Sequence, residues 1–188
     1  MKILILEGIA TSGKSTVISG IRKRLAGLSV EIARESETHI PIMKQTDELH
    51  IQFFEELITL LATDKPDLLI FDRLYLTQAF RAKVSLEQYS QIENILNKQD
   101  ALTAFLKIDD AAIADRVSKA AEHRDASWRE YIKTKGDTTE QVADYYITQQ
   151  QNQLKLLETS MLPHIICDTT THNYDEVIQR IVGKLKLV

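Results

Sequence analysis

The residues with the clearest chemistry lie near the start of the chain. Gly8-Ile9-Ala10-Thr11-Ser12-Gly13-Lys14-Ser15, with Thr16 behind it, satisfies the pattern G-x-x-x-x-G-K-[ST] in full. Average residue frequencies produce four such fixed positions in roughly 1% of chains this long. Here they also fall between an apolar run and a helical pattern, the only setting in which the motif works. The glycines let the backbone turn tightly, so that successive N–H groups point at phosphate oxygens. The helix that follows aims the positive end of its dipole at the same anion. In that geometry Lys14 would reach the β- and γ-phosphates of a nucleoside triphosphate, and Ser15 would ligate Mg²⁺.

Such a loop does not say what receives the phosphoryl group, so the ends of the other strands matter. Strand-end acids in an open α/β sheet face the cleft where ligands lie. Asp72 closes a strongly apolar run and is placed to support Mg²⁺ or to contact an acceptor. Arg73 has the fork of donors that holds a phosphate. Glu35 follows a second apolar run and could accept the proton of an attacking hydroxyl, or be a solvated loop charge beside Arg34 and Glu37. Arg116, Lys119, Arg124 and Arg129, with His123 and Lys133, form the densest cationic stretch. Cations that close over a transferring phosphoryl group are the functional reading of that stretch, with Arg116 and Arg124 first and a lid at about 122–136. A solvated helix face paired with Asp115, Glu122, Asp125 and Glu130 is the other.

These groups need a scaffold, and the hydrophobic pattern supplies one. Ile3–Leu6, Ser29–Ala33, Asp67–Asp72, Leu102–Ile108 and His164–Cys167 read as strands. Thr103 and Lys107 alternate with apolar residues and imply partial exposure of the fourth strand. Helical spacing begins at Lys14 and recurs over Asp47–Ala62, Leu86–Asn97, around Ile113 and Val117, from Ile147 to Met161, and over Val177–Leu185. The β-then-α order argues for one α/β domain over residues 1–188, with helices on both sides of a parallel sheet of about five strands. A net charge of -4 argues against holding a nucleic acid polymer by counterion release. The single cysteine, Cys167, excludes an intrachain disulfide and is expected to be a buried thiol. The apolar start breaks at Glu7-Gly8, too early for a signal peptide or membrane span, so a cytoplasmic protein is expected. The five histidines have no metal-ligand spacing.

Taken together, the residues resemble the thymidylate kinase and deoxynucleoside kinase group of P-loop kinases. Leu6-Glu7-Gly8 running into Gly13-Lys14-Ser15-Thr16 is similar to the start of those enzymes. Phe71-Asp72-Arg73-Leu74-Tyr75, then Ala79-Phe80, is similar to their Asp-Arg-Tyr or Glu-Arg-Ser segment. Arg34-Glu35 stands where they carry an Arg-Glu-Pro turn or an acidic base. Leu106-Lys107-Ile108-Asp109, the helix through Arg116 and Cys167-Asp168-Thr169 extend the likeness along the chain. Two departures, Ser36-Glu37 after Glu35 and Leu74 after Arg73, mark a divergent member. The resemblance implies the three-layer P-loop fold with a five-stranded sheet of order 2-3-1-4-5, ATP as donor with Mg²⁺, transfer to a nucleoside or nucleoside monophosphate, and Asp168 near the adenine. It implies a base-pairing role for a helical glutamine, here Gln52 one turn from Glu56, and a possible homodimer. Phe53 and Phe54 could stack on a base or belong to the core. A kinase of another small molecule, or a nucleotide-binding regulator, is the alternative.

Overall fold

In a computed structural model of the chain, residues 1–42, 47–61, 63–83 and 85–187 are described. Ala62 and the side chains of His39, Leu49, His50 and Phe53, on which parts of the sequence reading fall, lie outside them. Five strands, β1 (Lys2–Glu7), β2 (Val30–Ala33), β3 (Leu68–Asp72), β4 (Leu102–Lys107) and β5 (His164–Asp168), form one sheet of order β2-β3-β1-β4-β5. Every pairing is parallel. The expected order is therefore the observed one, and it follows from crossovers that pass over both faces.

Helices α1 (Lys14–Arg24) and α9 (Tyr174–Leu185) cover one face. There Leu4, Leu6, Leu68, Ile70, Ala104 and Leu106 meet Val17, Ile21, Val177 and Ile181. Ile3, Ile5, Leu69, Phe71 and Phe105 point the other way. They pack under α3 (Asp47–Leu61), α4 (Tyr75–Ala82), α5 (Ser90–Lys98) and Leu157 of α8 (Thr139–Thr159). The apolar runs are thus divided residue by residue between two cores, as a strand buried on both sides requires. A third cluster, with Ile9, Ile108, Ile113, Val117, Val142 and Tyr146, joins the phosphate loop to α6 (Asp110–His123) and α8.

Several expectations change. Thr103 is buried, not partly exposed, and its hydroxyl shares a hydrogen bond with Tyr75 at 3.3 Å. Helix α8 begins at Thr139, well before Ile147, behind a capping box in which Thr138 and Gln141 exchange bonds. Met161 lies beyond its end and is exposed. Helix α2 (Glu35–Ile42), α4 and α7 (Ala126–Lys133) were not visible as helices in the sequence. Each has eight residues, too few for a clear period. A 3₁₀ turn at Leu86–Tyr89 precedes α5. Cys167 is buried as expected, and burial pushes its thiol up. Among the described residues, no helix is long and apolar enough to cross a membrane.

Candidate functional site

The carboxyl end of β1 runs directly into the phosphate loop. Gly8 takes φ +138°, and a Cβ there would lie 2.6 Å from the Leu106 carbonyl oxygen. Gly13 takes φ +91°, and its Cβ would fall 2.3 Å from the Tyr174 ring. Both positions therefore require glycine for conformation and for space. No side chain caps α1, and its first turn holds no acid. Its N-terminus is left to an anion from outside the chain. Lys14 folds back on the loop, its Nζ donating to the Gly8 and Ile9 carbonyls at 2.9 Å each. Burial, with the Arg73 charge next, pulls the Lys14 ammonium down to about 7, against the upward pull of Asp72, Glu35 and Glu7.

Opposite the loop, β3 ends at Asp72, and Arg73 adopts a left-handed φ of +67°. That turn carries the Arg73 guanidinium across to Glu35 at the start of α2, Nη1 to Oε2 at 2.6 Å. Arg81, in the last turn of α4, meets the other Glu35 oxygen at 3.0 Å. Burial draws the Glu35 carboxyl upward. The charge and hydrogen bond of Arg73, then Arg81 and Lys14, outweigh it, so the group sits below its ordinary value. Glu35 is thus neither a loop residue nor a free base. Asp72 Oδ1 is buried without a hydrogen-bond partner among the described residues, and Ser15 lines the same cavity. Among the described residues, no group of three or more His, Cys, Asp or Glu could hold a metal. Ser15 and Asp72 still fit Mg²⁺, which takes one or two side chains and completes its shell with phosphate oxygens and water.

Glu7, quoted above only as part of a motif, is fully buried. Its Oε1 accepts from the amides of Leu74 at 2.9 Å, Leu76 at 3.1 Å and Thr77 at 3.4 Å, and its Oε2 accepts from the Thr77 hydroxyl at 2.7 Å. It therefore caps α4 from the neighbouring strand and fixes the turn that aims Arg73. Burial raises its carboxyl, against the pull of Thr77, Leu74 and the nearby cations. The available signal was a charge at the end of an otherwise apolar strand, which must find partners.

A cavity of about 630 Å³ collects most of the expected residues: Lys14, Ser15, Thr16, Glu35, Asp72, Arg73, Arg116 and Arg124, with Ala10, Thr11 and Gly13. Lys119 and His123 of the cationic stretch line it too, and it adds Arg81, Trp128, Tyr131, His172 and Tyr174, which the sequence did not single out as ligands. Arg116 is buried, and its donors are spent on the carbonyls of Thr11, Thr169 and Thr170 and on the Tyr174 hydroxyl. Here it braces the loop. Arg124 is exposed at the head of α7, its guanidinium 5.2 Å from the centre of the Trp128 ring. Gly8, Ile9 and Ser12 lie buried behind the cavity. Asp168 is exposed and accepts from the Thr170 amide at 2.7 Å, outside the lining. Gln52 is also outside it, exposed and bonded to Glu56 at 2.9 Å, because its face of α3 points to solvent. Phe54 belongs to the core, 6.0 Å from Phe71 between ring centres.

No known family profile and no curated protein matches the sequence. Solved structures do. The YorR protein of Bacillus subtilis, in complex with phosphorylated GDP, superposes with a TM-score of 0.66 at 21% identity, over 98% of this chain and 96% of that one. Deoxyadenosine kinase from M. mycoides, with dCMP and dCDP bound, gives 0.56 at 19% identity over the whole of both chains. Shikimate kinase from Bacteroides thetaiotaomicron gives 0.57 at 13% over 98% of each. Sheet order, phosphate loop and neighbours agree, and the chain has the fold of the P-loop kinases.

Proposed function

We propose that this protein is an ATP-dependent phosphotransferase that moves the γ-phosphoryl group to a nucleoside or nucleoside monophosphate. One observation carries the reading. A phosphate loop with an uncapped helix N-terminus shares a single cavity with Glu35, Asp72, Arg73, Arg81 and Arg124. Kinases of a nucleoside and of another small molecule among the structural neighbours support phosphoryl transfer.

The chain's own groups divide the work. Loop amides from Gly8 to Ser15 cradle the triphosphate, and Thr16 follows at the head of α1. Lys14 leaves the Gly8 and Ile9 carbonyls and neutralises charge on the β- and γ-phosphates. Ser15 and Asp72 would hold Mg²⁺, which when bound screens the phosphate oxygens from an incoming nucleophile. Arg73 and Glu35 orient the acceptor for in-line attack. Residues 122–136 act as a lid that brings Arg124 to the transferring group, while Arg116 holds the loop in register.

Coupled ADP release from ATP and Mg²⁺, across nucleosides, nucleoside monophosphates and other phosphoryl acceptors, tests the reading. Stimulation by a member of the first two classes is expected. Lys14→Ala should lower turnover by about a thousandfold or more, the scale of a lost charge stabiliser in phosphoryl transfer, while the protein still melts in one cooperative transition. An active Lys14→Ala protein, or stimulation only by other small molecules, overturns it.

A further inference from the structure

We propose that the groove between the end of α4 and the outer side of α8 is a second ligand site, apart from the phosphate loop, and that it takes a nucleoside diphosphate. The site needs no phosphoryl transfer, so it stands or falls separately from the kinase reading.

The space comes first. The groove offers about 900 Å³, against about 630 Å³ for the catalytic cavity, which is room for a nucleotide. One wall is the end of α4, with Ser85 and Leu86 beyond it. The other is the face of α8 from Tyr145 to Thr159. Among the described residues, Arg81 alone lines both spaces, so the groove is a neighbour of the catalytic cavity and not an extension of it.

Charge says what kind of ligand fits. Lys83 just past α4, Lys135 just past α7 and Lys155 on α8 all line the groove. Among the described residues none of the three forms an ion pair, and no Asp or Glu shares the lining. Arg81 is a fourth cation, already engaged by Glu35 on the other side. In a chain of net charge -4, cations gathered without carboxylates make a local field for an anion. Lys135 is more than a solvated surface charge. It is half-buried, its Nζ 4.8 Å from the centre of the Tyr131 ring and 5.1 Å from that of Tyr145. Both rings hold the ammonium in place. Two linked phosphates bring about three negative charges, enough to match the three lysines.

The rest of the lining asks for a flat apolar body on that anion. Phe80 and Tyr145 are half-buried and meet edge to face at 5.9 Å between ring centres. With Leu156 beside them they offer a surface on which a base can stack. Asn152 donates its amide to the Thr148 carbonyl at 2.8 Å, which leaves its Oδ1 to accept from the edge of a base or from a sugar hydroxyl. A bare polyphosphate has no use for the rings, and a neutral aromatic molecule has none for the lysines. A nucleoside diphosphate uses both.

Equilibrium dialysis of labelled ADP, with the phosphate loop saturated by a non-hydrolysable ATP analogue and Mg²⁺, tests the site. ADP should bind beside the analogue. Lys83→Gln combined with Lys155→Gln should weaken that binding about 10- to 100-fold, the range of lost charged hydrogen bonds. Arginine at both positions should recover part of it. Tyr145→Leu should weaken ADP about tenfold through lost stacking, and pyrophosphate should bind at least about tenfold more weakly than ADP. The analogue itself should bind each lysine variant within about twofold of the parent protein, the mark of an intact fold and phosphate loop. No ADP bound beside the analogue, or ADP binding that the lysine variants leave unchanged, overturns the site. Pyrophosphate held as tightly as ADP overturns the nucleotide. A dimer that Leu156→Glu disperses, with no ADP bound, gives the groove to a second copy of the chain and overturns the proposal as well.

Discussion

At the scale of single residues, Lys14 has the most to reveal. Its ammonium donates to two carbonyls of its own loop, and burial above all pulls it down to about 7. Triphosphate oxygens favour the charged form and should return it to the ordinary lysine range. At pH 8, ATP binding is therefore expected to take up most of one proton. Calorimetry in two buffers of different ionisation enthalpy measures that uptake, and identical heats in both would exclude it. The sign for stability is also fixed. Between about 7 and the ordinary lysine value of 10.5, the unfolded chain holds the proton and the folded one does not. This group's destabilising share is thus complete below pH 7 and fades as pH rises toward 10.5. Lys14→Met should flatten that part of the stability profile of the nucleotide-free protein. The pattern of residues 8–15 was enough to name Lys14, but its retracted position depends on carbonyl geometry that no residue letter encodes.

Among the elements, α4 shows how the site is held. Its first amides have no cap of their own, and Leu74 provides no side-chain acceptor. Glu7 reaches over from β1 to bind three of those amides, and Gln153 of α8 donates at 3.0 Å to the same Thr77 hydroxyl that Glu7 accepts from. Glu7→Ala would leave buried donors without acceptors and should cost ~3 kcal/mol or more in a urea titration. Glu7→Gln keeps a carbonyl for the amides and should cost roughly half of that. If the two substitutions were equally mild, the cap would carry no weight. Strands and long helices were legible because each repeats one signal over many positions. Helix α4 was not, since its partners are Glu7 and Gln153, sequence-distant groups that only the fold brings near. The same distance hid Arg81, whose value comes from meeting Glu35 across the cavity.

Across the whole molecule, the phosphate loop is closed by groups from the far end of the chain. Tyr174 lies against Gly13, and its hydroxyl accepts from Arg116, which also holds Thr11. Tyr174→Ala should weaken ATP binding about tenfold through lost support, within the ordinary range of a packing deletion. Tyr174→Phe removes only the hydroxyl and should stay within about threefold, and direct binding assays separate the two. Sheet order was readable in advance through the resemblance that the phosphate loop and strand-end residues carry, while element alternation alone gave only a parallel sheet of about five strands. The contact between residues 13 and 174 was not, because neither carries a signal pointing to the other. It has a consequence for how the protein is made. The strand before the loop sits at the centre of the sheet, between partners that emerge later, and the ring that backs the loop emerges later still. On the ribosome the nucleotide site is written first and finished last, so ATP can favour folding only once synthesis has passed Tyr174.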